Sequence, residues 1–224
     1  MSTFIEQFPV VFNSLNIGFL QTLKLFAVTL LGALPLGLII AFGSMSSFKP
    51  LSVLVRGFVW IIRGTPLMIQ LMIIYYFPGI MFNNPIWNGM EDGRFVAASV
   101  AFIINYACYF SEIYRGGIES MSQGQYEAAE VLGYSRTQTF MRIILPQVVK
   151  RILPSITNEV ITLVKDTSMA FTVGYQEMFT IGKTISNSES SFMPFLIAGV
   201  FYFLFNGIVD FVMTRLERKL NYYR

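Results

Sequence analysis

Histidine is absent from this chain of 224 residues, and cysteine occurs only once, as Cys108. Without histidine the chain lacks the commonest metal ligand and the usual side chain for acid–base chemistry near neutral pH. A single cysteine excludes an intramolecular disulfide and every cysteine-based zinc spacing. We therefore predict that the chain has no metal site and no catalytic residues.

Charge is also scarce, because Asp, Glu, Lys and Arg make up 13% of the residues while hydrophobic residues make up 54%. A soluble domain carries about 25% charged residues. The apolar residues occur in blocks, and several blocks reach the roughly 20 residues that a helix needs to cross a bilayer. The composition therefore predicts an all-α, polytopic membrane protein.

Five apolar segments are long enough to be predicted as transmembrane helices. They cover residues 15–42, 64–83, 95–114, 152–172 and 192–214. The segment 51–62 is too short to span and carries Arg56, so we predict an interfacial helix there. In the first span, small residues are expected to allow close helix packing; these are Gly18, Gly32 and Gly37.

The basic residues are distributed asymmetrically between the connections, which predicts the orientation of the chain. Twelve of the sixteen Lys and Arg residues lie in 43–63, in 115–151 or in the C-terminal tail, whereas the opposite connections hold only Arg94 and Lys183. We therefore expect the N-terminus outside and the C-terminus in the cytoplasm. This asymmetry also explains the basic balance of the chain, so no nucleic-acid partner is predicted.

The connection 115–151 is much longer than most loops between helices and carries a helical pattern of its own. It predicts two short helices separated by Gly133. Ser135 or Thr137 can cap the second helix, which is expected to run over 136–145 and to be closed by Pro146. Several apolar residues are predicted to form a stripe that docks into a groove of another protein; they are Leu132, Phe140, Ile143 and Ile144.

This connection also carries a family motif. The residues that form this motif, in order along the chain, are Glu127, Ala128, Ala129, Gly133, Ile143, Leu145 and Pro146. With this spacing the chain resembles the permease subunits of bacterial ABC importers, in which the segment is called the EAA loop. Three further motifs are similar to the branch that takes up histidine, arginine, glutamine, glutamate and cystine; they are Arg63-Gly64-Thr65-Pro66-Leu67, Arg115-Gly116-Gly117-Ile118 and Lys165-Asp166-Thr167-Ser168.

The resemblance extends from about residue 15 to the C-terminus and implies a type I permease fold. It implies one transmembrane domain over 1–224, with a coupling loop at about 123–146 that contacts a separate ATP-binding subunit. ATP would be bound by that partner, so no cofactor is expected on this chain. The other implied partners are an extracytoplasmic amino-acid-binding protein and a second permease, either identical or paralogous, in the bacterial cytoplasmic membrane.

Two carboxylates lie within the fourth predicted span, at Glu159 and Asp166. A charge at the bilayer centre costs about 2.5–3.5 kcal/mol on insertion scales, so such residues usually face a cavity or a partner. Seven residues of helix place the two carboxylates on one face. They could meet the α-amino group and a cationic side chain of a substrate. In the alternative interpretation, Asp166 pairs with Lys165 of a neighbouring subunit or with an arginine near the cytoplasm.

The resemblance refines these roles. The Lys-Asp-Thr-Ser motif is shared widely in the branch, so Asp166 is either structural or serves the α-amino group common to all substrates. Glu159 is the better candidate for selecting a cationic side chain, which favours a basic amino acid. Glu112 and Arg115 are predicted to form an ion pair. Other polar residues at the same depth could complete a pocket or make helix-packing hydrogen bonds; they are Gln70, Asn105 and Tyr109.

Other classes of membrane protein fit the sequence less well. A secondary transporter usually has more spans and an internal repeat, and the two halves of this chain are not similar. The segment Gly182-Lys183-Thr184 is like the end of a phosphate-binding loop, but Glu177 stands where the first glycine of that loop should be. We therefore predict that ATP hydrolysis is supplied by another subunit. The alternative is a secondary transporter or another polytopic membrane protein without an ATPase partner, such as a structural or insertion factor.

Overall fold

The structure, a computed structural model, describes residues 2–220, with side-chain surroundings from residue 8 onward. The regular elements in this part of the chain are helical. They are α1 (Ser2–Ser44), α2 (Lys49–Gly64), α3 (Leu67–Phe82), α4 (Gly93–Glu119), α5 (Gln123–Val131), α6 (Arg136–Thr139), a π-helical turn (Phe140–Ile144), α7 (Leu145–Asp166), a 3₁₀ helix (Thr167–Val173), α8 (Met178–Glu189) and α9 (Met193–Leu220).

Helix α4 lies at the centre of the bundle. In its most apolar stretch 61% of the residues are buried, against 28% in α1 and 22% in α9. Helix α1 packs closely along it, because a Cβ added at Gly32 would lie 2.6 Å from Ile103 Cδ1, and one at Gly37 would lie 2.9 Å from the Ala107 carbonyl oxygen. A Cβ at Gly18 would lie 2.7 Å from Met178 Cα. The predicted packing role of these three glycines is confirmed.

The described residues contain three helices that are long and apolar enough to cross a membrane: Phe8–Ser44 of α1, α4 and α9. Helices α2 and α3 pass the same test only as a pair, and they are bent by 105° at the break between them. The predicted fourth span corresponds to α7 and the 3₁₀ helix, which do not meet that standard. The structure thus supports three to four spans, and the predicted count of five is not confirmed.

The bend between α2 and α3 follows from Thr65 and Pro66. Both residues have extended backbone angles, because proline disfavours a helical conformation in the residue before it. Helix α2 is anchored to the end of α1, where the Arg56 guanidinium and the Ser52 hydroxyl donate hydrogen bonds to the Ser44 carbonyl at 3.0 and 2.6 Å. A separate helix over 51–62 is therefore confirmed.

The long connection folds as two helical segments around Gly133, whose positive φ of 78° suits glycine. Ser135 caps α6 in a capping box with Gln138. The predicted helix end at Pro146 is wrong. Pro146 stands in the first turn of α7, a position that tolerates proline, and helical structure continues from α6 through the π turn into α7. Ile144, expected in the exposed stripe, is buried.

Helix α8 was not predicted from the sequence. It begins at the fully buried Glu177, whose side chain accepts hydrogen bonds from the backbone N–H groups of Phe179 (2.7 Å) and Thr180 (2.6 Å). The hydroxyls of Thr180 and Tyr202 also donate to it, at 2.7 and 3.1 Å. Because Gly182-Lys183-Thr184 lies inside this helix, that segment does not form a phosphate-binding loop.

Candidate functional site

A cavity of about 790 Å³ lies between the bend of α2 and α3 and the facing sides of α4 and α7. Its wall carries charges of both signs together with aromatic and amide groups. The polar and aromatic side chains that line it include Arg63, Thr65, Asn105, Tyr106, Tyr109, Glu159, Thr162 and Asp166. A cavity with apolar walls and a few convergent polar groups is the usual form of a small-molecule site.

Glu159 and Asp166 both line this cavity, as their spacing on one helix face predicts. Seven residues at 1.5 Å per residue separate them by about 10 Å along the axis of α7. One carboxylate oxygen of Asp166, Oδ2, accepts a hydrogen bond from the Tyr106 hydroxyl at 2.8 Å. Among the described residues, no side chain or backbone group donates a hydrogen bond to Glu159. Lys165 is exposed and does not line the cavity.

The three polar residues predicted to complete the pocket divide into two groups. Asn105 and Tyr109 line the cavity, whereas Gln70 does not. The Gln70 side chain lies behind Asn105, from which its oxygen accepts a hydrogen bond at 3.0 Å. Its amide nitrogen donates to the carbonyls of Ile62 (2.7 Å) and Thr65 (3.0 Å). Gln70 therefore fixes Asn105 to the bend, which is the helix-packing role left open from the sequence.

Two cavity residues, Tyr106 and Arg63, were not identified from the sequence. Tyr106 is buried and adjacent to Asn105, and its spacing of three from Tyr109 is a helical signal that could have revealed it. Arg63 belongs to a family motif, but the sequence gives no local sign that its side chain reaches a cavity. Its guanidinium carbon lies 5.0 Å from the centre of the Tyr109 ring, within the range of a cation–π contact.

An ion-pair network lies beside Arg63, at the end of α4 near the bend. Glu112 and Arg115 form the predicted pair, with contacts of 2.6 and 3.1 Å. Arg63 approaches the same Glu112 carboxylate at 3.5 Å. Arg115 also contacts Glu119 at 2.8 Å.

A second cavity, of about 520 Å³, lies at the opposite end of α4. Asp92 of its wall forms an ion pair with Lys24 at 3.1 Å, and Arg94 donates to the Gly174 carbonyl at 3.2 Å. None of the residues predicted as site residues lines this cavity.

The helical connection carrying the EAA motif presents an apolar surface to solvent, which we call the coupling surface. It consists of Val131, Leu132, Tyr134 and Met141. Val131 and Leu132 are 88% and 73% exposed. Glu127 and Ala128 are exposed beside it, whereas Ala129 is buried.

Three further motif residues lie in the π turn and the first turn of α7. Ile143 and Leu145 are half-buried, and Pro146 is exposed. The amide side chains of Gln125 and Gln147 form a reciprocal pair of hydrogen bonds, at 2.8 and 2.6 Å, which ties α5 to the first turn of α7.

Comparison with known proteins yields one family for nearly the whole chain. The model of the family described as "Binding-protein-dependent transport system inner membrane component" matches residues 33–222.

Two curated relatives and one solved structure illustrate the similarity. A putative glutamine transport system permease protein, GlnP of Rickettsia conorii, is 32% identical over 96% of this chain and 96% of its own length. The arginine transport system permease protein ArtQ of Bacillus subtilis is 34% identical over 98% of this chain and 96% of its own length. A crystal structure of an amino acid ABC transporter with histidines superposes with a TM-score of 0.81 at 31% identity, covering 96% of each chain.

Proposed function

Because the chain belongs to the family of binding-protein-dependent transport system inner membrane components, we propose that it is the permease subunit of an ATP-driven importer for a polar amino acid. The observation that carries this proposal is the cavity beside α7, whose two carboxylates face a space large enough for a small zwitterion. The relatives named for glutamine and arginine transport are similar over nearly their full length, which supports the same substrate class.

Within the cavity we assign Asp166 to the α-amino group of the substrate and Glu159 to a cationic side chain. The carboxylates lie about 10 Å apart along the helix, too far to hold one ammonium group together. Asp166 is oriented by Tyr106, whereas Glu159 has its hydrogen-bonding capacity available. Asn105 and Tyr109 complete the wall, and Gln70 holds Asn105. An acidic side chain would be repelled by Glu159, so the preferred substrates are basic amino acids.

The coupling surface is the proposed contact with a separate ATP-binding subunit. Exposed apolar side chains next to Glu127 suit insertion into a groove of another protein, and they lie in the segment, about 123–146, that carries the EAA motif. ATP binds and reacts on that partner, so this chain needs no cofactor. The other partners are an extracytoplasmic binding protein, as the family description implies, and a second permease copy or paralogue.

The proposed topology has five spans in a single permease domain of the bacterial cytoplasmic membrane. The spans are α1, α3, α4, α7 with the 3₁₀ helix, and α9. In this topology the N-terminus lies outside and the C-terminus in the cytoplasm, an orientation that the asymmetry of Lys and Arg supports. On this topology the coupling surface is cytoplasmic, where an ATP-binding subunit can reach it.

The test is uptake of radiolabelled L-arginine and L-glutamine into proteoliposomes that contain this chain, its ATP-binding subunit and its binding protein. Uptake should require ATP. The substitution Glu159→Gln removes a charge and keeps the shape, so it should lower arginine uptake about tenfold or more, as expected for loss of a charged contact. Glutamine uptake should change less than about threefold. ATP-independent uptake, or equal uptake of arginine by the variant, would contradict the proposal.

A further inference from the structure

The cavity wall contains a positive group that the roles assigned above do not use. We propose that Arg63 binds the α-carboxylate of the transported amino acid, an inference that rests on the proposed function. Among the described residues that line the cavity, Arg63 is the only one with a cationic side chain. It reaches the cavity from the last turn of α2, opposite the face of α7 that carries Glu159 and Asp166.

A cation is needed at this place because every α-amino acid brings a carboxylate into a cavity that already holds two. Like charges at close range in a partly desolvated site repel strongly. Without a counter-charge, Glu159 and Asp166 would oppose entry of the substrate carboxylate as much as they attract its ammonium group. The planar guanidinium of arginine matches a carboxylate with two parallel hydrogen bonds, which a lysine cannot do.

The existing contacts of Arg63 leave it available for this role. Glu112 makes its short contacts with Arg115, at 2.6 and 3.1 Å, and approaches Arg63 only at 3.5 Å. The Arg63 side chain is 40% exposed. Tyr109 holds the guanidinium from one side through its ring face. Within the described part of the chain, the Arg63 guanidinium has no acceptor closer than Glu112 at 3.5 Å.

The test compares amino acids with counterparts that lack only the carboxylate. The probes are L-arginine with agmatine, and L-glutamine with 4-aminobutanamide. Binding is measured by calorimetry on the full chain in nanodiscs, assembled with its ATP-binding subunit. The unmodified chain should bind the amino acid at least about tenfold more tightly than its decarboxylated counterpart, the discrimination expected from a charged hydrogen bond. In Arg63→Gln this ratio should fall to within about threefold, through weaker binding of the amino acid.

Two control variants separate direct binding from an effect on the ion-pair network. Arg56→Gln removes a positive charge from the same helix but outside the cavity, and it should keep the discrimination. Glu112→Gln removes the acidic partner of Arg63, and this variant should also discriminate between the amino acid and its decarboxylated counterpart. Arg63→Lys retains the positive charge but not the planar guanidinium with its two parallel donors, so its ratio of affinities for the two ligands should be intermediate.

The outcomes distinguish this inference from the proposed function. If the unmodified chain binds neither arginine nor glutamine, the proposed function is wrong, and the role of Arg63 falls with it. If the unmodified chain discriminates and Arg63→Gln discriminates equally, only the role of Arg63 is wrong. Loss of discrimination in Glu112→Gln as well would show that Arg63 acts through the network and not on the carboxylate.

Discussion

Two regions of the molecule hold buried or half-buried carboxylates, and they differ in how many hydrogen bonds those carboxylates accept. At the start of α8, Glu177 is fully buried and accepts four hydrogen bonds from Phe179, Thr180 and Tyr202. In the cavity, Asp166 accepts one hydrogen bond from a side chain and Glu159 accepts none from the described residues.

The difference indicates what each carboxylate is for. A buried polar group is expensive unless its hydrogen bonds are satisfied, so a carboxylate with a complete set of donors is part of the framework. A carboxylate that faces a cavity with its oxygens unpaired is stable there only when water or a ligand supplies the donors. Sequence alone does not separate the two cases, because both kinds occur within apolar surroundings.

The largest effect that this comparison predicts is on stability, for Glu177→Ala. The substitution removes the helix cap and leaves the Thr180 and Tyr202 hydroxyls without their acceptor. A lost cap costs about 1 kcal/mol, and each buried group left unsatisfied costs about 1–3 kcal/mol. We expect the variant to lose about 3 kcal/mol or more, seen as a clear fall of the thermal unfolding midpoint in detergent. The midpoint of Glu177→Gln, which keeps an acceptor oxygen, should fall by less. An unchanged midpoint for the alanine variant would show that Glu177 does not stabilise the framework, which contradicts the comparison.

A smaller change in stability and a large change in transport are expected for Asp166→Asn. The substituted amide retains an acceptor for Tyr106 but no longer attracts an ammonium group. Uptake of arginine and glutamine should both fall about tenfold or more, since a charged hydrogen bond common to both substrates is lost. Proteoliposome uptake and the unfolding midpoint measured on one preparation check this. A variant that unfolds early and still transports would place Asp166 with the framework.

The smallest effect is expected for Tyr106→Phe, which removes the single donor to Asp166. Loss of one hydrogen bond costs about 1 kcal/mol, so uptake of both substrates should fall by about three- to tenfold. Tyr109→Phe, at the same wall but without a hydrogen bond to either carboxylate, is the matched control and should change uptake less. Equal losses in the two variants would indicate that Tyr106 fills space and does not orient Asp166.

Long apolar runs allowed α1, α4 and α9 to be predicted from the sequence, although each helix extends beyond its apolar core. Helix α8 escaped prediction because its residues are mildly polar. Its first residues are buried through contacts with distant parts of the chain; for example, the Met178 N–H donates to the Thr22 hydroxyl at 3.2 Å.

The joint position of the two carboxylates could be predicted because one helix determines it. The spacing of Glu159 and Asp166 placed them on one face because both belong to α7. Arg63 joins them through the bend before Pro66, which brings a different helix to the cavity. The same bend takes the amide of Gln70 away from the cavity by offering it two carbonyls. Such juxtapositions depend on the tertiary arrangement and leave no local pattern.

The unbroken helical path through Pro146 has a mechanical consequence. Residues 136–166 are helical throughout, from the α6 cap to Asp166, a path of about 45 Å at 1.5 Å per residue. This helical path connects Met141 of the coupling surface, near one end, with the cavity carboxylates toward the other. If this path moved as one body, a tilt of about 5° at the docking end would displace Asp166 by about 4 Å. That displacement exceeds the length of a hydrogen bond. A small movement imposed by a docked partner would thus be sufficient to release a ligand held by that carboxylate.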